Sequence, residues 1–459
     1  MRELIVDLFA GAGGASQGIE RAIGRPVDIA INHDRIAVSM HKRNHPKTKH
    51  YIEDVRTVDP LEATKGLPVG LLWMSPDCTY FSKARAGKPI DRKGEEVRCL
   101  AWVGIKWAEK VRPRIIILEN VEEFQDWCPL IENEKGQLVP DPTRIGETFY
   151  EFVNDLKRLG YEVQFRELLA CDYGAPTKRN RFYMIARCDG EKIVWPEPTH
   201  GNPEQLEARL GLLKPWKTAA ECIDWSIPCP SIFATSKEIK AEYGITAKRP
   251  LADKTMKRIA LGVQKFVINN PEPYILDDRA MFLIQYHSET SKYDVRGQKL
   301  TEPLMTLDTN PRYALVSAFI TKFYKSGIGQ SLKEPLHTIT TSPGHFGLVQ
   351  AFLIKYYGDA VGQTLKEPLH TITTRERFGL ITVKGDKYQI ADIGMRMLQQ
   401  HEQFKAQGFP ESYIFTHDEH GNPISRAEQN EKCGNSVSPP VAEALVRANY
   451  KERICENAV

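Results

Sequence analysis

The chain has 459 residues, with 62 Lys plus Arg against 59 Asp plus Glu, a formal net charge of +3, and 41% hydrophobic and 26% charged residues. That length leaves room for about two to four domains, and the composition excludes a disordered tail, a coiled coil and a lipid-embedded bundle. The charge excess is too small to identify a nucleic-acid partner by itself, and nine scattered cysteines with no C-x-x-C pair argue for a reducing compartment and against a disulfide framework or zinc knuckle.

The N-terminus enters a strand-like run without the charged and apolar regions of a signal peptide, and no apolar stretch approaches the roughly 20 residues that cross a bilayer. A cytoplasmic location is expected, in the bacterial cytoplasm or nucleoid. From residue 4 to about 190, short apolar runs alternate with longer mixed segments. Strands are predicted at Leu4–Phe9, Val27–Asn32, Gly70–Met74, Ile115–Leu118, Glu162–Leu169 and Phe182–Ala186, and helical spacing at Ala15–Ile23 and Arg98–Val111. This pattern predicts an α/β fold, a doubly wound and mostly parallel sheet.

Regular alternation is lost after Trp195-Pro196-Glu197-Pro198, which sets a boundary there. Pro250 to Val267 reads as a basic amphipathic helix carrying Lys254, Lys257, Arg258 and Lys265, a pattern that an ordinary solvated face also gives. Three related units follow at about 282–316, 319–349 and 352–381, with Glu-Pro recurring at 302, 334 and 367. Such units stack because none buries its apolar face alone, either as a β-rich scaffold or as a surface that reads a ligand. Helical spacing returns through Ile393–Phe404 and Pro440–Tyr450. A module at 196–387 is therefore expected to interrupt a first domain formed by 1–195 and 388–459.

Chemistry-bearing residues gather at the predicted strand ends. Asp7 to Gly14 places glycines between a strand and a helix, which lets backbone approach a ligand, although a tight turn without one has the same sequence. Asn32 and Asp54, at later strand ends and turns, are placed to bind ribose and an adenine edge. Cys78, in Ser75-Pro76-Asp77-Cys78 just past a strand, is positioned to become a thiolate, whereas most lone cysteines only pack. Glu119 follows four aliphatic residues, so burial would favour its neutral, proton-donating form. Arg179 and Arg181, two apart on an extended segment, share one face and suit an anion or carbonyl oxygen.

The ordered blocks Phe9-Ala10-Gly11-Ala12-Gly13-Gly14, Pro76-Asp77-Cys78, Glu119-Asn120-Val121, Tyr173-Gly174-Ala175-Pro176 with Arg179 and Arg181, Gln407-Gly408-Phe409-Pro410 and Gly434-Asn435-Ser436-Val437 together resemble the DNA (cytosine-5) methyltransferases. The resemblance covers about residues 4–190 and 390–449. It implies a Rossmann-like, S-adenosylmethionine-dependent catalytic domain, the inserted module being a target-recognition domain. It further implies methyl transfer to carbon 5 of cytosine in a specific double-stranded DNA sequence, after base flipping, in the manner of restriction-modification enzymes.

By the same resemblance Cys78 is the covalent nucleophile, Glu119 acts at ring N3 and the exocyclic amine, Arg181 holds the base carbonyl and Arg179 braces the loop. Phe9, Gly11, Gly13, Asn32, Asp54, Asn435 and Ser436 would bind the cofactor. For DNA, Lys83, Arg85 and Lys88 are expected to clamp phosphates beside the nucleophile. Each repeat holds a Thr-Leu or Thr-Ile pair, at 306, 338 and 371. Thr371 and Ile372 are the preferred reading pair because Arg375 and Arg377 follow them. A monomer is expected, with no metal and no membrane partner.

Three positions depart from the family: Asp77 for a second proline, Thr177 for a usual glutamine and Asn32 for an acidic ribose ligand. Asp77 would raise the thiol pKa unless it points away or is paired. A fold-preserving protein that binds DNA without chemistry, and an enzyme acting on RNA, are the alternative readings.

Overall fold

The computed structural model describes residues 2–81, 89–277, 279–286, 295–322, 380–383 and 386–453, with the backbone alone at 319–322, 380–383 and 386–391. The expected DNA-contacting residues Lys83, Arg85, Lys88, Thr371, Ile372, Arg375 and Arg377, and most of the second and third repeats, lie outside the described residues. The chain forms two compact units. One comprises Met1–Lys217, Met305–Asn310 and Gln403–Val459, the other Thr218–Leu304 and Pro311–Glu402.

The first unit is built on a seven-stranded sheet. Its strands are β1 (Leu4–Leu8), β2 (Ile29–Ile31), β3 (Lys49–Tyr51), β4 (Val69–Met74), β5 (Ile115–Asn120), β6 (Glu162–Leu169) and β7 (Asn180–Arg187), in the order β3-β2-β1-β4-β5-β7-β6. The pairs from β3 through β5 are parallel. Strand β7 runs antiparallel to both β5 and β6.

The aliphatic runs are continuous because both faces are covered, so successive residues enter different cores. Val6, Leu72, Ile116 and Met184 face a cluster that includes Trp107, Phe149 and Phe152 from the helices Val103–Lys110 and Glu147–Arg158. Ile5, Leu71, Ile117 and Ile185 face the opposite cluster, where Ala15 and Ile19 of α1 (Gly14–Ile23) meet Val441 and Leu445 of the helix Pro439–Asn449. Burying such a side chain stabilises by roughly 1.5–3 kcal/mol, and these two layers hold every strand end of the sheet in place. The return segment is thus an integral layer of this unit. Helix α2 (Arg35–Asn44) starts at Asp34, whose carboxylate accepts the N–H groups of Ile36 and Ala37, a cap worth about 1 kcal/mol.

The second unit has a core of Ile259, Val263, Phe282, Ile284, Val316 and Ile393 among others. Its antiparallel sheet has the strand order Tyr274–Leu276, Arg279–Gln285, Tyr313–Lys322, Asp386–Met397 and Leu380–Val383, with Gly297–Gln298 also paired to the second of these. The basic helix forms over Asp253–Val263 and continues as a wider turn through Ile268.

Several boundaries differ from expectation. Residues expected to resume helix at Ile393 instead end a long strand, and the helix begins only at Gln400. Ile393 and Met395 alternate into the second unit's core, a period of two that the window around Phe404 obscured. Residues 388–402 consequently group with the second unit, and Pro196–Lys217 with the first. Strand β3 was missed because Lys49-His50-Tyr51 is short, polar and at the sheet edge.

Candidate active site

Three consecutive features of the sheet converge on its carboxyl edge, where ligands bind in open α/β sheets. The first is the turn from β1 into α1. Phe9, Gly11 and Gly13 all have positive φ, at 60°, 51° and 96°, which explains the glycines and makes Phe9 an unusual L residue there. A Cβ on Gly11 would meet only the Phe9 carbonyl, at 3.8 Å, so that side of the turn is open. A Cβ on Gly14 would collide with Ser436 and the Val437 carbonyl, so the return segment closes against the helix start. Gly13 offers no side-chain cap to α1 and its first turn has no acidic residue of its own; the carboxyl that meets this turn is that of Asp7, through Ser16.

The second feature is the loop after β4. Ser75 Oγ lies 3.4 Å from the Phe9 carbonyl and Asn120 Nδ2 donates to the Pro76 carbonyl at 3.1 Å. These bonds fix the loop to the Phe9 turn and to the end of β5. Cys78 is half-buried. Burial raises its thiol pKa, Arg181 and Arg179 oppose that, and Glu119 and Asp77 add to it. Asp77 has the smallest influence of these. It is exposed and accepts the Thr79 N–H at 2.7 Å, so its charge is spent on its own turn.

The third feature pairs β5 with β7. Glu119 is buried, and burial raises its carboxyl pKa against the attraction of Arg179 and Arg181. Arg181 Nε stands 3.4 Å from Glu119 Oε1. Although that distance suits an ion pair, desolvation outweighs the two guanidiniums and keeps the carboxyl pKa above its ordinary value.

Arg179 is almost fully buried and donates to the carbonyls of Gly434 at 3.0 Å and Leu307 at 3.4 Å. Burial, then Arg181, lowers its pKa to about 10. Thr177 Oγ1 reaches the Met305 carbonyl at 3.4 Å. Thus Thr177 and Arg179 hold the segment 305–310, which holds the first Thr-Leu pair and belongs to the same compact unit.

Cys78, Glu119, Arg179 and Arg181 therefore form one electrostatic group. The expected cofactor ligands are less uniform. Asn32 is half-buried and its side-chain oxygen accepts the Asp34 N–H. Both carboxylate oxygens of Asp54 accept from Arg56, which lowers the pKa of Asp54, leaving its remaining lone pairs for any amine. Asn435 is exposed at the end of the helix Arg426–Gly434, whereas Ser436 is buried with its hydroxyl donated to Val437 O.

Sequence reading missed three supports: Ser75, the structural use of Asn120, and Lys432, a largely buried lysine that pairs with Asp34 and, at 2.8 Å, with Glu431. A polar residue directly after the β5 carboxylate was the available signal for Asn120. Nothing local marked the other two.

A thiol on the loop after β4, a buried carboxyl and two arginines thus stand together near a glycine turn. The family model of C-5 cytosine-specific DNA methylase matches residues 4–451, and the chain belongs to that family. It is similar to the Type II methyltransferase M.AgeI of Thalassovita gelatinovora, 29% identical over 202 residues that cover 43% of this chain and 42% of that protein. It is also similar to M.SacI of Streptomyces achromogenes, 29% identical over 222 residues, 44% of this chain and 52% of that protein. The chain thus spans about half the length of these relatives. The solved methyltransferase EhMeth of Entamoeba histolytica aligns with a TM-score of 0.49 at 14% identity, covering 97% of each chain. Among the described residues, no helix is long and apolar enough to cross a membrane and no side-chain cluster suits a metal ion.

Proposed function

We propose that this protein methylates carbon 5 of cytosine in double-stranded DNA, using S-adenosylmethionine and a transient covalent bond from Cys78 to the base. The observation that carries the reading is the grouping of Cys78, on a loop bonded to the Phe9 turn, with Glu119 of β5 and with Arg179 and Arg181 at the start of β7. The open side of Gly11 fits the cofactor. Phe9, Gly11, Gly13, Asn32, Asp54, Asn435 and Ser436 would hold it. When bound, S-adenosylmethionine supplies an electrophilic methyl group.

The protein's own residues make the base receptive. Carbon 5 of cytosine is a weak nucleophile, and addition of the Cys78 thiolate to carbon 6 moves electron density toward it. Negative charge then develops at ring N3, where the raised pKa of Glu119 keeps a proton available. Arg181 would donate to the base carbonyl, and Arg179, which donates to the carbonyls of Gly434 and Leu307, would act by bracing rather than by contact. Loss of the carbon 5 proton with departure of the Cys78 sulfur restores the ring and the thiolate.

The second unit, with the repeats, would recognise DNA sequence. Of the three pairs, Thr306-Leu307 is assigned the place beside the target nucleotide, because Arg179 holds its backbone.

Bisulfite sequencing of DNA from cells expressing the chain tests this directly. Protected cytosines in a defined sequence context are expected, and none in cells expressing Cys78→Ser. Protection that persists in that variant would remove Cys78 as the nucleophile. Methyl transfer to transfer RNA in preference to duplex DNA would reassign the substrate.

A further inference from the structure

A buried polar chain runs behind the glycine turn, outside the group around Cys78. Asp7, at the end of β1, is fully buried, and its Oδ2 accepts a hydrogen bond from Ser16 in the first turn of α1 at 2.6 Å. That bond joins the two sides of the turn from below. Ser16 Oγ is 2.9 Å from His41 Nε2, and His41 Nδ1 is 2.8 Å from Nε2 of His50 on the edge strand β3. Asp7 Oδ1 has no partner among the described residues.

With Asp7 ionised, the hydrogens along this chain can all be ordered in one sense. Ser16 has one hydrogen and gives it to Asp7, so its oxygen accepts from His41 Nε2–H. Burial lowers the pKa of His41 well below that of free histidine, so the ring is neutral and its Nδ1 is a bare acceptor for His50 Nε2–H. His50 is likewise neutral, its pKa lowered to about 4 by burial first and then by Lys42. Every donor thus points toward the Asp7 carboxylate. If Asp7 takes a proton, each bond can reverse and the same four groups remain joined. When solvent delivers a proton to Nδ1 of the half-buried His50, its Nε2–H passes to His41 and each hydrogen shifts one bond along until Asp7 is protonated; His50 stays neutral and no heavy-atom contact breaks.

The neighbouring charged and titratable groups do not supply a competing partner. His45 Nδ1 pairs with Glu20 at 2.8 Å, Tyr413 bonds the Ala12 carbonyl, and Lys42 and Glu419, themselves paired at 3.2 Å, act on His50. Tyr413, His45 and His41 also lie directly under Gly13, where a Cβ would strike them. This layer is therefore the floor of the turn.

We propose that Ser16, His41 and His50 are positioning residues that form a proton relay to Asp7, and that docking of a cationic sulfonium ligand on the adjoining turn is coupled to release of the Asp7 proton through this relay. Burial holds the Asp7 pKa up at about 7, with Ser16 opposing it, so the carboxyl is part-protonated near neutrality. A positive ligand favours the anion, and its affinity must rise as pH rises through that value. The inference rests on the cofactor reading above.

The test is calorimetric binding of S-adenosylmethionine and S-adenosylhomocysteine to the full chain between pH 6 and pH 8. The two ligands differ in the methyl group and the sulfonium charge. The expected result is that the preference for S-adenosylmethionine grows at least threefold over that range in wild type and is flat in Asp7→Asn. Ser16→Ala removes a bond that favours the anion, so the rise should move to higher pH. If Asp7→Asn does not fold, the wild-type and Ser16→Ala profiles decide. A flat preference in wild type, with both ligands binding, would overturn the relay and leave the cofactor reading standing. Failure of both ligands to bind at any pH would overturn both.

Discussion

Asp7 and Glu119 are two buried carboxyls on strands of the same sheet, and burial raises the pKa of each. What surrounds them differs. Glu119 faces two guanidiniums and a thiol, with Arg181 at 3.4 Å, whereas Asp7 faces a serine backed by neutral histidines. Under the proposed function one carboxyl would stand where charge develops on the reacting ring, and the other lies beneath a backbone turn. The same physical penalty, desolvation, would thus serve a proton donor in one place and a field-setting group in the other. Neighbouring charge, more than burial, separates the two roles.

Replacing each group in turn sharpens that contrast. Glu119→Gln is expected to lower methyl transfer by about 10²–10⁴-fold while S-adenosylmethionine affinity, read by calorimetry, changes little. A large loss of cofactor affinity would mean that Glu119 serves the turn as Asp7 does. Asn120→Ala removes the bond to Pro76, worth about 1 kcal/mol, so turnover should fall roughly fivefold with the fold intact by circular dichroism. Turnover equal to wild type would show that the Cys78 loop is held by other contacts. Asp77→Asn should change the turnover rate by less than about threefold, since the exposed carboxylate is screened and engaged by Thr79. A tenfold gain would restore Asp77 as a brake on the thiol.

Much of this site is legible in residue order, and the reasons are local. Aliphatic runs such as Ile115–Leu118 carry the strand signal because both sheet faces are covered. Positive φ at Gly11 and Gly13 follows from a turn that glycine alone makes easily. Other features depend on contacts hundreds of residues apart. Arg179 bonding Gly434 and Leu307 could not be read from any window, nor could the grouping of Met305–Asn310 with the first unit. The Asp7 relay was likewise hidden, because its members lie on β1, α1, α2 and β3 and each alone reads as a surface or packing residue. The strand ending at Met397 was mistaken for helix because apolar spacing near a boundary fits both periods.

The central claim is a covalent bond from one sulfur. Incubating the full chain with S-adenosylmethionine and duplex DNA containing 5-fluorocytosine at its methylated site should yield an adduct stable to denaturant. Fluorine at carbon 5 blocks the final elimination. Peptide mapping should place the DNA on Cys78, and the trapping rate should rise from pH 7 to pH 9, since burial raises this thiol's pKa and the thiolate is the attacking form. Methylation of ordinary cytosine with no adduct on the fluorinated base, or an adduct mapped to another residue, would contradict the account.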